Sequence, residues 1–169
     1  MSTRIMPNAM KIGYDKISKG YDELHGEEQL SKLNIIKNQI RPKPDAKLLD
    51  VGCGTGLSSN LDAKLKIGID NNLNMLKSNN QLIKVCGGAE YLPFEDDTFD
   101  IVISLTAVHN FQDYSKAILE MKRVCNGLVI ISLLKRSKNF EAIEASIKHT
   151  IPVFNEADHP HDRIFFCKV

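Results

Sequence analysis

The chain has 169 residues, of which 43% are hydrophobic and 25% charged, and its net charge is +1. This length suits one domain with its own core, and the balanced charge excludes a global polycation drawn to nucleic acid. Apolar runs fall far short of the roughly 20 residues of a membrane span, and residues 1–10 contain no signal-peptide core, so we expect a cytoplasmic protein. Four cysteines match neither a zinc site nor a disulfide scaffold, and no metal is expected.

Two amphipathic helices are predicted at the start of the chain. Apolar or aromatic residues recur with the spacing of one helix face, first at positions 14, 17, 21 and 24 and then at 30, 33, 36 and 40. The sequence Arg41-Pro42-Lys43-Pro44 ends the second helix, because proline lacks an amide donor and restricts the residue before it. We therefore divide the single domain 1–169 into N-terminal helices, 1–41, and a core, 45–169.

Strands and helices alternate through the core, which predicts a mostly parallel α/β sheet with helices on both faces. Such sheets bind ligands at the carboxyl ends of their strands. The sheet has seven strands, or six if residues 152–157 are not a strand. The other predicted strands cover 47–51, 66–70, 82–86, 99–104, 127–133 and 163–169, and the predicted helices cover 57–63, 72–79, 113–124 and 138–149.

The sequence Asp50-Val51-Gly52-Cys53-Gly54-Thr55-Gly56 follows the first predicted strand. Glycines at such a place let a ligand approach the backbone closely, because they carry no Cβ. Their G-x-G-x-G spacing lacks the final x-x-G of the dinucleotide fingerprint, and the Lys-Ser/Thr pair of a phosphate-binding P-loop is absent. An NAD-dependent oxidoreductase therefore fits poorly, although it stays open as a third interpretation.

Four further segments follow in order: Ile67-Gly68-Ile69-Asp70, Gly88-Ala89-Glu90-Tyr91-Leu92-Pro93-Phe94, the stretch 97–104 and Ala107-Val108-His109-Asn110-Phe111. With the glycine loop they resemble the motifs of class I S-adenosylmethionine (SAM) dependent methyltransferases of the type 11 group, from about residue 14 to residue 133. The resemblance implies a Rossmann-like fold, in a minimal version without a cap domain. It also implies transfer of a methyl group from SAM, with S-adenosylhomocysteine as product.

The same resemblance implies a set of cofactor-binding residues. Its two carboxylates would orient the methionine amine and bind the ribose, and its glycines would pass beneath the cofactor. The set is Tyr14, Tyr21, Asp50, Gly52, Cys53, Gly54, Gly56, Asp70, Asn71, Ala89, Glu90, Ser104 and Leu105. The tyrosines would cover the cofactor, residues 89 and 90 would contact the adenine edge, and residues 104 and 105 would line the methionine part. Gly88 departs from the pattern, because many relatives carry an acid there for the adenine amino group.

Methyl transfer is an in-line displacement, so the main task of such an enzyme is to position its reactants. A base helps only where the acceptor keeps its proton at neutral pH. His109, just past the fourth predicted strand, is the candidate base, with a pocket-wall role as the alternative, and Asp113 is a weaker candidate that would also cap helix 113–124. No Asn-Pro-Pro-Tyr or Asp-Pro-Pro-Tyr sequence follows that strand, which argues against enzymes that methylate amino groups of DNA, RNA or glutamine. Small-molecule O-, N- or C-methylation and other RNA chemistry stay open. The acceptor stays unidentified, as a small molecule or RNA.

Two polar segments have ordinary explanations besides functional ones. Residues 135–138 are a basic loop that is solvated or contacts phosphate, and residues 158–162 form a turn rather than a metal site. Because the chain is short, little of it encloses a small substrate. We expect a large substrate, a homodimer or a small activator protein on the exposed strand 82–86. The alternative function is a catalytically idle SAM-binding subunit that scaffolds or activates a partner.

Overall fold

Residues 26–79 and 83–169 are described by the computed structural model of the chain. The predicted helix around residues 12–24, with Tyr14 and Tyr21, lies outside these ranges. The elements in chain order are helix α1 (described over 26–39), strand β1 (Lys47–Val51), a 3₁₀ turn (Leu57–Asn60), β2 (Leu65–Asp70), α2 (Leu73–Ser78), β3 (Ile83–Cys86), β4 (Phe99–Leu105), a second 3₁₀ turn (Val108–Asn110), α3 (Tyr114–Arg123), β5 (Cys125–Leu134), α4 (Phe140–Thr150), β6 (Val153–Asp158) and β7 (Asp162–Lys168).

The strands form one seven-stranded sheet in the order β3-β2-β1-β4-β5-β7-β6. Strands β1 to β5 run parallel to their neighbours, and β7 is antiparallel to both β5 and β6. This confirms the predicted Rossmann-like class I methyltransferase sheet with seven strands. The strand order reverses between β1 and β4, so a ligand crevice is expected at their carboxyl ends.

Alternation of side chains along the strands creates two cores, one on each face of the sheet. Leu48 packs with Leu33 and Ile36 of α1 and with Ile40 just after it. The adjacent Leu49 packs on the opposite face, where α3 and α4 lie. The second predicted helix ends at residue 39, one residue before Ile40 and just before the prolines. Helices therefore cover both faces, as the alternating pattern predicts.

The predicted helix over residues 57–63 is wrong, because only a four-residue 3₁₀ turn forms there, Leu57–Asn60. The amides of Lys64 and Leu65 already donate to the Ala46 carbonyl, at 2.9 and 3.3 Å, as the chain enters β2. Too few residues separate the glycine loop from this strand for a full helix. The glycine loop is thus held directly between β1 and β2.

The described ranges contain neither a membrane-spanning helix nor a cluster of metal-binding side chains. No helix there is long and apolar enough to cross a membrane. No group of three or more His, Cys, Asp or Glu side chains in the same ranges is arranged to hold a metal ion.

Gly127 in β5 lies against the backbone of β4, where the pairing of these strands shifts register. A Cβ on Gly127 would lie 2.4 Å from the Asp100 carbonyl oxygen. We expect Gly127→Ala to lower the free energy of unfolding by about 1–3 kcal/mol, because the strands must move apart. Urea denaturation measures this change. Gly26→Ala is the control, since nothing lies within 4 Å of its Cβ position, and a loss of stability no larger than the control's would contradict the expectation.

Candidate functional site

A cavity of about 1250 Å³ opens at the carboxyl ends of the central strands. Its volume exceeds the roughly 300–1000 Å³ usual for sites of small ligands, so it has room for a cofactor and a second reactant. Its walls come from α1, the glycine loop, the ends of β2 and β4, the loop after β3 and the start of α3. The lining residues used below are Gly26, Gln29, Asp50, Gly52, Cys53, Gly54, Asp70, Asn71, Ala89, Glu90, Leu105, Thr106, Ala107, Asp113 and Lys116.

Asp50, the last but one residue of β1, is the most deeply buried carboxylate on the cavity wall, with 3% of its surface exposed. Its Oδ2 accepts a hydrogen bond from the Ser58 hydroxyl. Its Oδ1 is buried and has no hydrogen-bond partner among the described residues. Burial raises the pKa of Asp50 to about 7, the Ser58 hydrogen bond opposes this rise, and the charge of Asp70 adds to it. A buried, unpartnered carboxylate oxygen on a ligand cavity suits a cationic group.

The glycine loop leaves room for the ligand on one side and packs tightly on the other. Gly52, at φ +75°, packs against the loop after β4, since a Cβ there would lie 2.6 Å from the Cβ of Ala107. Gly54, at φ +50°, has nothing within 4 Å of its Cβ position. The backbone at Gly54 is therefore open to a ligand. Burial raises the pKa of the neighbouring Cys53 thiol to about 12, so this thiol stays protonated and acts as a small packing group.

Asp70 ends β2 and holds the neighbouring loops in place. Its Oδ2 accepts from the Gly54 amide at 2.9 Å, and its Oδ1 accepts from the Asn72 amide at 2.8 Å. Asn72 in turn caps α2, because its side-chain oxygen accepts from the amides of Asn74 and Met75. The carboxylate and the adjacent Asn71 both line the cavity, at the position from which an acid can bind a ribose.

The loop after β3 contributes Ala89 and Glu90 to the cavity wall. The Glu90 Oε1 accepts from the amides of Gln112 and Asp113, at 3.0 and 3.4 Å, which ties this loop to the start of α3. A Cβ at Gly88 would lie 3.0 Å from the Glu90 Oε2. An acid at position 88 would place a second carboxylate beside Glu90, which gives a physical reason for the glycine that stands there.

The structure therefore brings most of the predicted cofactor residues to one cavity, but not all of them. Gly56 and Ser104 are absent from its lining. A Cβ on Gly56 would lie 2.4 Å from the Asn79 side-chain amide, so this glycine packs against α2. Ser104 is fully buried in β4 and lies below the wall, whereas the next residue, Leu105, lines the cavity.

His109 does not line the cavity, although it follows β4 as predicted. Burial lowers its pKa, the charge of Asp162 opposes this, and the charges of Lys32 and Arg136 lower the pKa further. Its Nδ1 is buried without a hydrogen-bond partner among the described residues. A general base must reach the proton that it removes. His109 thus lies outside the described lining of the cavity, and its assignment as the base stays a prediction beside the alternative of a pocket-wall role.

Asp113 and the predicted turn at 158–162 take structural positions. The Asp113 side chain caps α3 by accepting from the Lys116 amide at 2.9 Å. In the turn, Asp158 pairs with Lys135 at 2.7 Å. Asp162 is fully buried and pairs with Lys32 of α1 at 2.9 Å between Nζ and Oδ1. No local pattern in the sequence indicated that this lysine and this aspartate meet.

The cavity carries mostly negative charge. Among the described residues, the charged side chains that line it are the acids Asp50, Asp70, Glu90 and Asp113 and one base, Lys116. A pyrophosphate or other phosphate ligand would meet repulsion from these carboxylates, whereas a ligand with cationic groups would be attracted. The charge distribution therefore disfavours NAD and fits SAM, which carries an ammonium and a sulfonium.

Sequence comparisons find methyltransferases among the relatives of the chain. A family described as a methyltransferase domain matches residues 49–131. The chain is 34% identical over 131 residues to an uncharacterized protein of Methanocaldococcus jannaschii, and the match covers 73% of this chain and 51% of that protein. It is 30% identical over 168 aligned residues to the demethylmenaquinone methyltransferase of Bacillus subtilis, with 85% of this chain and 72% of that protein covered.

The fold comparison gives a similar result. A Haloferax volcanii protein solved in complex with the Trm112 methyltransferase activator superposes with a TM-score of 0.67 at 16% identity. The superposition covers 91% of this chain and 80% of that chain.

Matches to the first curated relatives cover 51% and 56% of their length, so the chain spans about half of those proteins.

Proposed function

The chain belongs to the class I SAM-dependent methyltransferases, and we propose that it binds SAM in this cavity and transfers the methyl group to a small molecule. The observation that carries the proposal is the buried Asp50 Oδ1 on the cavity wall, which has no partner among the described residues. A carboxylate in this state is costly unless a cationic group binds it. The open side of Gly54 and the overall negative charge of the wall support the same ligand.

We assign the two ends of the cofactor to the two carboxylates. Asp50 would accept from the methionine ammonium, and Asp70 would accept from the ribose hydroxyls. The Gly52 and Gly54 backbone would lie beneath the cofactor, and Ala89 and Glu90 would contact the adenine. Because the Glu90 Oε1 already accepts two backbone amides, the adenine amino group is left to the Glu90 Oε2 or to backbone carbonyls.

SAM supplies an electrophilic methyl group on a sulfonium that leaves as a thioether. What the protein adds is position: the cofactor is fixed by its carboxylates and glycine loop while the acceptor lies against α1 and the end of β4. Alignment of this kind accounts for up to roughly 7–11 kcal/mol of a barrier in ideal cases. Among the described cavity residues no histidine is found and Lys116 is the only amine. This supports an acceptor that is already nucleophilic at neutral pH.

A small-molecule acceptor is favoured over RNA by the charge of the wall. RNA-binding surfaces use several Lys or Arg side chains to neutralise phosphates, and Lys116 is the sole described cation on this cavity. The cavity volume of about 1250 Å³ leaves space beside a cofactor. The similarity to demethylmenaquinone methyltransferases also supports a small ring acceptor.

A partner on the exposed edge of the sheet is the second part of the proposal. Strand β3 lies at the edge, and Ile83 on it is 57% exposed. An apolar edge strand invites pairing with another chain. A second copy or a small activator protein would fit, and the Haloferax neighbour was solved with such an activator. Light scattering and turnover of the purified chain test this, and full activity as a stable monomer would refute it.

We expect Asp70→Asn to weaken binding of SAM and S-adenosylhomocysteine about 10–100-fold, because charge-assisted hydrogen bonds are lost. The amide keeps one oxygen for the neighbouring backbone, so the fold should survive. Titration calorimetry on the full chain measures the affinity. Asp62→Asn, at an exposed position, is the matched control, and an unchanged affinity in Asp70→Asn would remove this residue from the ribose site.

A methyl-transfer screen with labelled SAM then separates the two functions considered. Incorporation into phenols, hydroxyquinones or small amines supports the enzyme. Incorporation into RNA alone would overturn the small-molecule assignment. SAM binding without turnover on either pool would favour the idle SAM-binding subunit.

A further inference from the structure

A buried polar network joins α1 to the sheet directly behind the cavity. The Lys32 side chain is 0% exposed. Its Nζ donates to Glu28 Oε1 at 2.6 Å and to Thr106 Oγ1 at 2.8 Å, and it forms an ion pair with Asp162 Oδ1 at 2.9 Å. The ammonium is thus held by two hydrogen bonds and by the buried charge of Asp162. Burial would raise the pKa of Glu28, but its hydrogen bond to Lys32 and the charge of that ammonium hold the pKa below its ordinary value.

Thr106 lies at the centre of this network in an unusual backbone conformation. Its φ is +53°, which is rare for a β-branched residue. Its hydroxyl donates to Asp162 Oδ2 at 2.8 Å and accepts from Lys32 Nζ and from Gln29 Nε2, the latter at 3.2 Å. Its amide donates to the Ser132 hydroxyl at 2.8 Å. The donor and both acceptor positions of the hydroxyl are thus occupied. Contacts from α1, β5 and β7 together hold the backbone bend that the positive φ of Thr106 creates.

The backbone bend at Thr106 determines the position of Ala107. Ala107 occupies the space beside Gly52, where a Cβ would lie only 2.6 Å from its own. Gln29 and Thr106 also line the cavity, together with Gly26 and Leu105. These residues form the wall that does not include Asp50 or Asp70, the two carboxylates assigned to the cofactor. The same network therefore sets the position of this wall and its distance from the glycine loop.

We propose that Thr106, held by the buried Lys32–Asp162 pair, is a positioning residue that docks α1 and the end of β4 as the acceptor side of the cavity. This inference rests on the proposed function, because the acceptor side is defined relative to a bound cofactor. Strained residues persist where the surroundings over-determine them, and they cluster at functional sites. A wall fixed in this way presents the Gln29 amide to the acceptor at one position only.

Three variants of Thr106 separate positioning from stability. Thr106→Val removes the hydroxyl and keeps the shape, Thr106→Ser keeps the hydroxyl, and Thr106→Gly relieves the strain because glycine accepts a positive φ. Thr98→Val is the control, as that hydroxyl bonds only to the nearby Glu95 carbonyl among the contacts described. Hydrogen exchange of α1 in the ligand-free chain, affinity for S-adenosylhomocysteine and the melting temperature are measured for each.

We expect α1 to exchange at least about fivefold faster in the Val and Gly variants, since local opening follows lost contacts, with affinity at least about fivefold lower. The Ser variant should match the wild type, and the Gly variant should melt above Thr106→Val, because both lack the hydroxyl but only glycine accepts a positive φ. Exchange and affinity equal to those of Thr98→Val would overturn the inference. So would failure of serine to restore both. If the wild type binds no S-adenosylhomocysteine, the proposed function fails, while the exchange data still decide whether the network fixes this wall.

Discussion

Replacing Asp50 with asparagine is expected to stabilise the ligand-free chain at neutral pH and to remove most of its affinity for SAM. Both effects have one cause. Burial raises the pKa of Asp50 from its ordinary value of 3.8 to about 7, with Ser58 opposing the rise and Asp70 adding to it. The ionised carboxylate is thus unfavourable in the empty cavity. A cationic ligand would make the same charge favourable.

The sign of the pH dependence follows from proton binding. Between about pH 4 and pH 7 the folded chain keeps a proton on Asp50 that the unfolded chain has released. The free energy of unfolding therefore falls as the pH rises through this window, and above pH 7 the full cost is present. A shift of this size corresponds to about 4 kcal/mol. Asp50→Asn carries no such cost, so its advantage should grow from near zero at pH 4 to that order above pH 7.

Binding of SAM should show the opposite trend. The ammonium lowers the pKa of Asp50, so complex formation below pH 7 releases a proton and the affinity declines as the pH falls. In Asp50→Asn the charge-assisted hydrogen bond is lost, and the affinity should drop about 10–100-fold at pH 7.5. Urea denaturation and calorimetry across pH 5–8 measure both properties. Asp45→Asn, at an exposed position before β1, is the control. A variant that is less stable than the wild type at pH 8 and still binds SAM would contradict this account of Asp50.

The fold was predictable because its signals are local. Each apolar run of the core became a strand within two residues at either end, and the strand at 152–157 is confirmed as β6. Hydrophobic periodicity reports burial of one segment at a time. The helix prediction over 57–63 was wrong for a different reason, because the length of the connection between β1 and β2 determines whether a helix fits there.

The residues of the candidate site that belong to a sequence motif were predictable. Asp50, Gly54 and Asp70 stand at strand ends and so meet at one edge of a parallel sheet. Ser104 falls outside the cavity because successive side chains of a strand point to opposite faces of the sheet. His109 lies in the 3₁₀ turn after β4, outside the described lining. The positive φ of Thr106 and the burial of Lys32 depend on contacts with residues distant in sequence. No pattern around those two residues reports such contacts.

Lys32→Met is expected to cause the largest loss of stability among the substitutions considered. Lys32 and Asp162 are both 0% exposed in their side chains. Removing the ammonium leaves the Asp162 carboxylate buried without its counter-charge, and breaking a buried pair in this way costs about 3–5 kcal/mol. Thr106 and Gln29 lose their anchor in the same step. Lys148→Met is the control, since Lys148 pairs with Glu144 and Glu156 at an exposed position and exposed pairs contribute little.

The double variant Lys32→Met/Asp162→Leu separates the contribution of the ion pair to stability from its contribution to ligand binding. Apolar side chains of similar volume often replace a buried ion pair at no cost or with a gain in stability, so the double variant should recover most of the loss measured by urea denaturation. A Lys32→Met variant no less stable than Lys148→Met would show that the carboxylate is solvated and not buried. Recovery of stability without recovery of S-adenosylhomocysteine affinity would show that an apolar core suffices for folding. The charges would then serve the cavity, because Lys32 and Asp162 both bond the Thr106 hydroxyl and so help to hold the backbone bend beside the glycine loop.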